Sequence, residues 1–375
     1  MGEATKLEGH HNHLHRPHLS DLHMHRAKAT MTHKVKNQSN YYHSARNLVR
    51  VSGSVIPRIS IPTLLATAWA TGWTVFHILY PHKWFKDLIP KSNLLITIVG
   101  VVMGLLLVFR NNTAYDRYWE GRRLFSTLET NVRNMTRFVW IGVPARDAHE
   151  ALEKRGAMNL LIAFMHATKH YLRSELGVHY DDVQPYISHL PEYAPDAPAP
   201  PDMKNLPVEI SLHLGGFINK IRQREQIDVS LYGCMNNALN AMMDCLSGFE
   251  RIRGTPLPFA YGVHLKQTLV LYLLSLPFQL LDACKWSTIP MCALAAFTLL
   301  GLEAIGGEIE NPFGFDANDL PIDDISFMIH EEILGIMDRP DKLDTAKWSL
   351  PWEDLTSTKA ELNPEALAAL RKAGH

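Results

Sequence analysis

The sequence predicts an all-α integral membrane protein with two transmembrane hairpins, whose long helices continue into a cytoplasmic body. Four apolar runs occur in two pairs, and each pair is joined by a short connection that favours an antiparallel hairpin. Residues 93–124 pass without a proline from an apolar run into an arginine-rich stretch, which indicates one helix leaving a membrane for water. No stretch alternates apolar and polar residues over the length of a strand.

The predicted membrane helices cover residues 61–80, 93–110, 259–283 and 287–306 of one domain over 41–345. A spanning helix needs about 20 mostly apolar residues. The two later runs reach that length only with polar ends that include Lys266, Gln267 and Glu303. Such ends suit helices that project from the bilayer or face a bundle interior, and a buried core helix is the alternative for either run.

Three segments are predicted to lie outside the helical domain or on its surface. Residues 1–40 contain GHHNHLHRPHLSDLHMHR and no apolar periodicity, which predicts a disordered cytoplasmic tail. Weak zinc or nickel binding is one role for that tail, and a solvated segment that gains charge at low pH is the other. The proline-rich residues 185–207 predict an exposed loop, and 346–375 predict a tail with a short helix.

Helical periodicity predicts further helices over 111–178, 208–252 and 321–338. Residues 1–50 hold eight Lys/Arg against three acids, and 110–137 hold six against three. By the positive-inside rule both flank the membrane on its cytoplasmic side, so we expect a multi-pass protein with both termini cytoplasmic. Residues 303–338 carry ten acids. We expect this acidic segment to lie over the basic one, and a solvated acidic face is the alternative.

The composition argues against several classes of protein. The formal net charge is −1, whereas phosphate binding usually leaves a basic excess, so nucleic acid is not expected as a partner. No nucleophile elbow, phosphate loop or dinucleotide motif is present, and we expect no enzymatic activity. The cysteines lack metal-finger spacing and are predicted to be reduced, mostly buried thiols: Cys234, Cys245, Cys284 and Cys292.

Three stretches together resemble the bestrophin family, specifically its bacterial, plant and fungal branch. They are FRNNTAYDRYWEGRRL (109–124), KQTLVLYLLSLPFQL (266–280) and EIENPFGFDANDLPID (308–323). The stretch LVRVSGSVIPRI (48–59), which leads into the first predicted membrane helix, fits the family as well. The resemblance implies a homopentamer in a lipid bilayer, with one central pore for chloride or other small anions and no required cofactor. The helix from residue 93 would line the membrane part of that pore.

The resemblance also locates an apolar neck on this helix, at Val101, Leu105 and Phe109. Independently of the family, the four-residue spacing keeps these side chains on one slowly drifting helical stripe. An apolar constriction can gate by dewetting. Ordinary helix packing is the alternative for the same stripe. A second constriction, in the cytoplasmic body, is expected near Ile227–Leu231.

Arg110, Asn111 and Asn112 directly follow the last neck position. Five guanidinium groups at a pore mouth would raise the local anion concentration and repel cations. The two amides would offer donors to a partly dehydrated anion. The alternative is that Arg110 turns sideways and pairs with Asp116 or with an acid of residues 303–324.

Asn311, Asp316 and Asp319 correspond in position to the Ca²⁺ site that the resemblance implies for animal bestrophins. This chain lacks the consecutive acids of that site, and sites with few carboxylates are usually weak. The sequence therefore favours turn capping by Asp316 and Asn318. Asp319 is expected to start the following helix or to pair with an arginine.

Two other functions compete with conduction. The stretch HATKH places His166 and His170 on one helical face, as a membrane-embedded metalloenzyme would require. No Glu accompanies them in the motif, and no second His cluster is expected in the core-like segments. The remaining alternative is a helical membrane scaffold that does not conduct.

Overall fold

A computed structural model of the protein describes residues 51, 53–80, 94–194 and 205–343, and this part consists of helices joined by turns and loops, without a strand. The predicted tails and the first hairpin connection, residues 81–93, lie outside this part. The helices are α1 Ile56–Leu79, α2 Leu94–Gly142, α3 Ala148–Leu172, α4 Gln184–Ile187, α5 Leu206–Gln223, α6 Val229–Gly254, α7 Phe259–Cys284, α8 Thr288–Ile309 and α9 Ile322–Met337. Short 3-10 turns occur at Pro191–Tyr193 and Lys285–Ser287.

Helix α2 explains the segregation of apolar and charged residues along residues 93–124. It has 49 residues and is therefore about 74 Å long, more than twice the roughly 30 Å of a bilayer's hydrocarbon core. Its first part is apolar enough to cross a membrane, and the rest must extend beyond it. One face of the helix is buried from Met103 to Trp140, so the same helix belongs to both parts of the molecule.

The membrane part contains α1, the start of α2, and the hairpin of α7 and α8. In the described chain, Ile56–Leu79, Leu94–Gly142 and Phe259–Ile309 are long and apolar enough to cross a membrane. Trp69 Nε1 donates to the carbonyl of Leu274 at 3.1 Å, beside Pro277, which cannot donate a backbone N–H to the helix. This indole bond ties α1 to the proline-containing turn of α7.

The body outside the membrane part packs around α3, which is buried on almost every side along its second half. The rings of Phe125, Phe249 and Phe313 meet at centroid distances of 4.4 to 6.2 Å and join α2, α6 and the loop after α8. Helix α9 lies within the predicted 321–338. The cysteines form no disulfide; Cys245 and Cys292 are buried, whereas Cys234 is exposed.

Two long helices were predicted where the structure has pairs of shorter ones. The predicted helix over 111–178 is interrupted at 143–147, where Asp147 accepts a hydrogen bond from the Glu150 N–H and caps α3. The predicted helix over 208–252 is interrupted at 224–228, where Glu225 takes a left-handed φ of 55° and Asp228 caps α6. Helix α4 overlaps the start of the predicted loop 185–207, Pro191–Tyr193 falls inside it, and α5 begins before its end; residues 195–204 are not described.

The acidic segment does lie over the basic one, as the charge pattern predicts. Arg133 of α2 donates through Nε to Glu332 of α9 at 2.7 Å. Arg117 donates to the carbonyl of Glu310 at 3.0 Å. These contacts fix α2 against the elements that follow the second hairpin.

Candidate functional site

The predicted neck residues form an exposed apolar stripe on α2. Val101, Leu105 and Phe109 are 70%, 53% and 56% exposed in the protomer. Successive residues of a helix point about 100° apart, so these three side chains lie within about 80° of one another. No residue of the described ranges covers them, which leaves the stripe free to face a pore, a neighbouring subunit or lipid.

The opposite face of α2 carries the packing within the protomer. Met103 and Leu107 are fully buried against Leu265, Leu269 and Leu273 of α7. The alternative that the predicted neck is ordinary packing surface therefore does not hold within the protomer, because the packing residues lie at other positions of the helix. Gly100 also packs, since a Cβ there would lie 3.1 Å from the Tyr272 hydroxyl, whereas Gly104 faces open space.

Arg110 does not extend from the stripe: of the two predicted arrangements the structure shows the second, in which the side chain turns sideways and pairs with an acid of residues 303–324 rather than facing the neck exit. It is nine residues from Val101, which turns its side chain to about 180° from the stripe. Arg110 is 6% exposed, and its Nη1 donates to Glu303 Oε1 at 2.7 Å. Glu310 lies 3.8 Å from Nη2, and Lys266 lies 3.5 Å from Glu303. The two bases and two acids cancel, so the cluster presents no net charge.

The two asparagines after Arg110 point in different directions. Asn111 turns toward α8, where a Cβ added at Gly306 would lie 2.5 Å from its Oδ1. Asn112 is exposed, and its side chain points within about 20° of the direction of Val101 around the helix axis. Of the three polar residues predicted at the neck exit, only Asn112 lies on the stripe.

The acidic motif after α8 forms a compact loop. Phe313 is buried in the aromatic cluster, and Asp319 Oδ2 accepts from the Asp316 N–H at 2.8 Å. Gly314 makes room for this carboxylate, since a Cβ there would lie 2.7 Å from Oδ2. Asn318 donates to Glu308 and to the carbonyl of Gly53. Asp319 thus caps the turn itself; it neither starts α9 nor forms an ion pair in the described residues.

The three predicted calcium ligands differ in their exposure and in their hydrogen bonding. Asn311 and Asp316 are exposed, and Asp319 Oδ1 is buried without a hydrogen-bond partner. Burial raises the pKa of Asp319 to about 6, and the carboxylates of Asp316 and Glu308 add to the rise. We propose that below about pH 6 a proton, rather than Ca²⁺, satisfies this carboxyl group.

This proposal predicts a specific pH dependence of stability. The folded state holds the Asp319 proton more tightly than an unfolded chain, so the stabilisation is complete below about pH 4 and is lost as the pH rises through about 6. Between pH 4 and 7 the wild type should lose on the order of 1 kcal/mol more than Asp319→Asn, after allowance for solvent exposure. Thermal midpoints of both proteins across this range measure the difference.

Parallel pH curves for the two proteins would contradict the proton assignment. Calcium provides the discriminating control at pH 7. If Asp319 were a ligand, added Ca²⁺ would raise the midpoint of the wild type and not that of Asp319→Asn. We expect the same midpoint with and without Ca²⁺ in both proteins.

The two histidines of HATKH are turned into the body. His170 contacts Glu175 at 2.5 Å and Asp182 at 2.8 Å. His166 is buried, with Nε2 3.1 Å from Nδ1 of His330 on α9. The sequence predicts no second His cluster, and the structure adds to this motif a single histidine that the motif does not indicate. The spacing along α3 carries no information about α9, which is 164 residues away in the sequence.

These histidines form a hydrogen-bond chain. The Tyr186 hydroxyl lies 2.7 Å from Nε2 of His330, whose Nδ1 faces Nε2 of His166. Burial lowers the pKa of His330 to about 4 and also lowers that of His166, so both are neutral at pH 7. Across the described ranges, no three His, Cys, Asp or Glu side chains are arranged to hold a metal ion. The geometry gives the metalloenzyme hypothesis no support.

The expected second constriction near Ile227–Leu231 contains one strongly exposed apolar side chain. Ile227 is buried and Leu231 packs on Gly142, whereas Val229 is 67% exposed. Val229 begins α6 next to the end of α2, where Ile141 is exposed as well. The sequence predicts a segment but does not indicate a residue, because the four-residue pattern of the neck has no counterpart there.

Comparison with known proteins gives consistent results. Residues 33–335 match the family described as "Bacterial/Fungal Bestrophin protein". A voltage-dependent anion channel-forming protein of Synechocystis is 36% identical over 298 residues, which cover 78% of this chain and 91% of that protein. YneE of Escherichia coli, named in the same way, is 31% identical over 304 residues, which cover 79% and 92%. A bacterial bestrophin homologue from Klebsiella pneumoniae superimposes with a TM-score of 0.63 at 27% identity, covering 75% of this chain and 99% of that one.

Proposed function

The chain belongs to the bacterial and fungal bestrophin family, and from that premise we propose that it is a membrane channel for chloride and other small anions. It is an integral membrane protein, and its relatives are named for anion-channel formation rather than for an enzymatic reaction. One observation carries the proposal: the apolar stripe of α2 is exposed on the face opposite the one that packs in the protomer.

We propose that five copies surround one axis, with the stripes facing inward. Val101, Leu105 and Phe109 then form three apolar rings about 6 Å apart along the helix. An ion that crosses them loses hydration that no wall group replaces, so the rings can gate by dewetting. Val229 supplies a further apolar ring at the far end of the body. Conduction through such walls requires no cofactor.

The proposed orientation places the body and both termini in the cytoplasm. The arginines of α2 beyond Phe109 and the bases before residue 51 support it, since cytoplasmic segments carry an excess of Lys and Arg. The membrane is crossed four times by α1, α2, α7 and α8. In this arrangement the neck lies in the membrane, and the lower half of α2 lines a cytoplasmic vestibule.

Reconstitution of the full chain in planar bilayers tests the function. Under a chloride salt gradient, we expect currents that reverse close to the chloride equilibrium potential. Reversal at the cation potential would contradict an anion channel, and a folded assembly without current would favour the scaffold. Native mass measurement tests the assembly, with an expected mass about five times the 42.5 kDa of one chain.

A further inference from the structure

The stripe of α2 continues below the neck as a polar face. Its exposed side chains mostly recur every three or four residues and stay within about 60° of Val101. They are Asn112, Tyr115, Asp116, Trp119, Arg123, Ser126, Thr130, Arg133, Arg137 and Ile141. If the neck faces the pore, this face lines the vestibule beneath it.

The arginines of α2 divide into two groups by their partners. Four of them bond to acids or carbonyls: Arg110 to Glu303, Arg117 to Glu310, Arg122 to Glu129, and Arg133 to Glu332. Arg123 and Arg137 are exposed and form no ion pair with any residue of the described ranges. Arg137 points in the direction of Val101, and Arg123 and Arg133 each lie about 40° from it, but Arg133 is paired with Glu332. The unpaired charge of the helix is thus confined to the polar face.

We propose that Arg123 and Arg137 concentrate anions in the vestibule, the role first expected of Arg110. This inference rests on the proposed channel function and names the residues that bias it toward anions. Asp116 is the one acid of α2 on the same face, and the charge of Arg133 there is balanced by its partner Glu332, so each subunit contributes a net charge of +1. Five copies would give the vestibule a positive potential that enriches anions and depletes cations.

The positions of these charges determine how the effect depends on salt. Arg123 lies about 21 Å below Phe109 along the helix, and Arg137 about 21 Å below Arg123. Charges are screened over about 8 Å at physiological ionic strength, but over about 30 Å at 0.01 M. Each ring therefore acts on its own section of the vestibule in physiological salt. In dilute salt the two fields overlap and reach the neck.

Charge neutralisation in the reconstituted full chain tests the inference. In dilute chloride, Arg123→Gln/Arg137→Gln should reduce single-channel conductance by about 3- to 10-fold, at the lower end of the effects that charged clefts produce. At 1 M salt, where charges are screened over about 3 Å, the conductance of this variant should match that of the wild type. Arg123→Lys/Arg137→Lys keeps the charges and should conduct like the wild type at both salt concentrations.

A charge-matched variant separates the field from any specific contact. Asp116→Asn/Arg123→Gln leaves the net charge of the face at +1 and should conduct within about twofold of the wild type in dilute salt. The inference would be overturned if, in dilute salt, the double glutamine variant conducted as well as the wild type. It would also be overturned if the double lysine variant lost as much conductance as the double glutamine variant. Either result could coexist with anion currents in the wild type, whereas a wild type without anion currents would refute the proposed function itself.

Discussion

Replacing Leu105 with alanine is expected to raise the single-channel chloride conductance several-fold, up to about tenfold. Leu105 forms the middle of the three apolar rings, where the pore wall offers an ion no replacement for lost water. Removing the isobutyl groups of five subunits widens and rewets the ring. A reduction of the barrier by about 1.4 kcal/mol corresponds to a tenfold rate. Single-channel recording in symmetrical chloride measures the change.

Leu107→Ala is the matched control, because it makes the same chemical change two residues away. Leu107 is fully buried against α7 and faces about 160° away from Leu105. Its truncation should cost about 2–5 kcal/mol of stability and leave the conductance of each assembled channel unchanged. Wild-type conductance in Leu105→Ala together with altered conductance in Leu107→Ala would contradict the assignment of the faces.

Replacing Arg110 with methionine is expected to destabilise the protein by about 3–5 kcal/mol, the usual cost of removing one partner of a buried ion pair. Glu303 would lose its 2.7 Å partner and retain only Lys266 at 3.5 Å. Arg110→Met/Glu303→Gln removes both charges and should recover much of the loss. The unfolding midpoints of the two variants and the wild type measure this.

The selectivity of the same variants tests the corrected role of Arg110. The double variant leaves Lys266 and Glu310, whose charges cancel, so its reversal potentials should match those of the wild type. Unchanged stability in Arg110→Met with a loss of anion preference would show that the guanidinium faces the pore after all.

The sequence was sufficient to predict the helices that depend on local pattern. The apolar runs identify α1, the start of α2, and the α7–α8 hairpin, because hydrocarbon length and composition restrict what such runs can do. The neck stripe on α2 follows from its four-residue spacing and from the resemblance, and its role in the pore remains a prediction. The overlap of acids and bases was predictable from charge segregation alone.

The errors have a common origin in contacts between distant parts of the chain. Arg110 directly follows Phe109, but neighbours in a helix point about 100° apart, and its partner Glu303 is 193 residues away. His330 contacts His166 although the two residues are 164 positions apart in the sequence. The interruption at 224–228 depends on the left-handed Glu225, a residue type with no preference for that conformation. No local pattern carries this information.

Cysteine accessibility along α2 tests most directly whether the apolar stripe surrounds a water-filled pore. In a background without the four native cysteines, single cysteines replace Val101, Leu105 and Phe109, and separately Met103 and Leu107. A charged, membrane-impermeant thiol reagent is applied during bilayer recording. We predict that modification at 101, 105 and 109 blocks the anion current and that 103 and 107 do not react. Cysteines at 101, 105 and 109 that react only with lipid-dissolved reagents, or without effect on the current, would contradict the account.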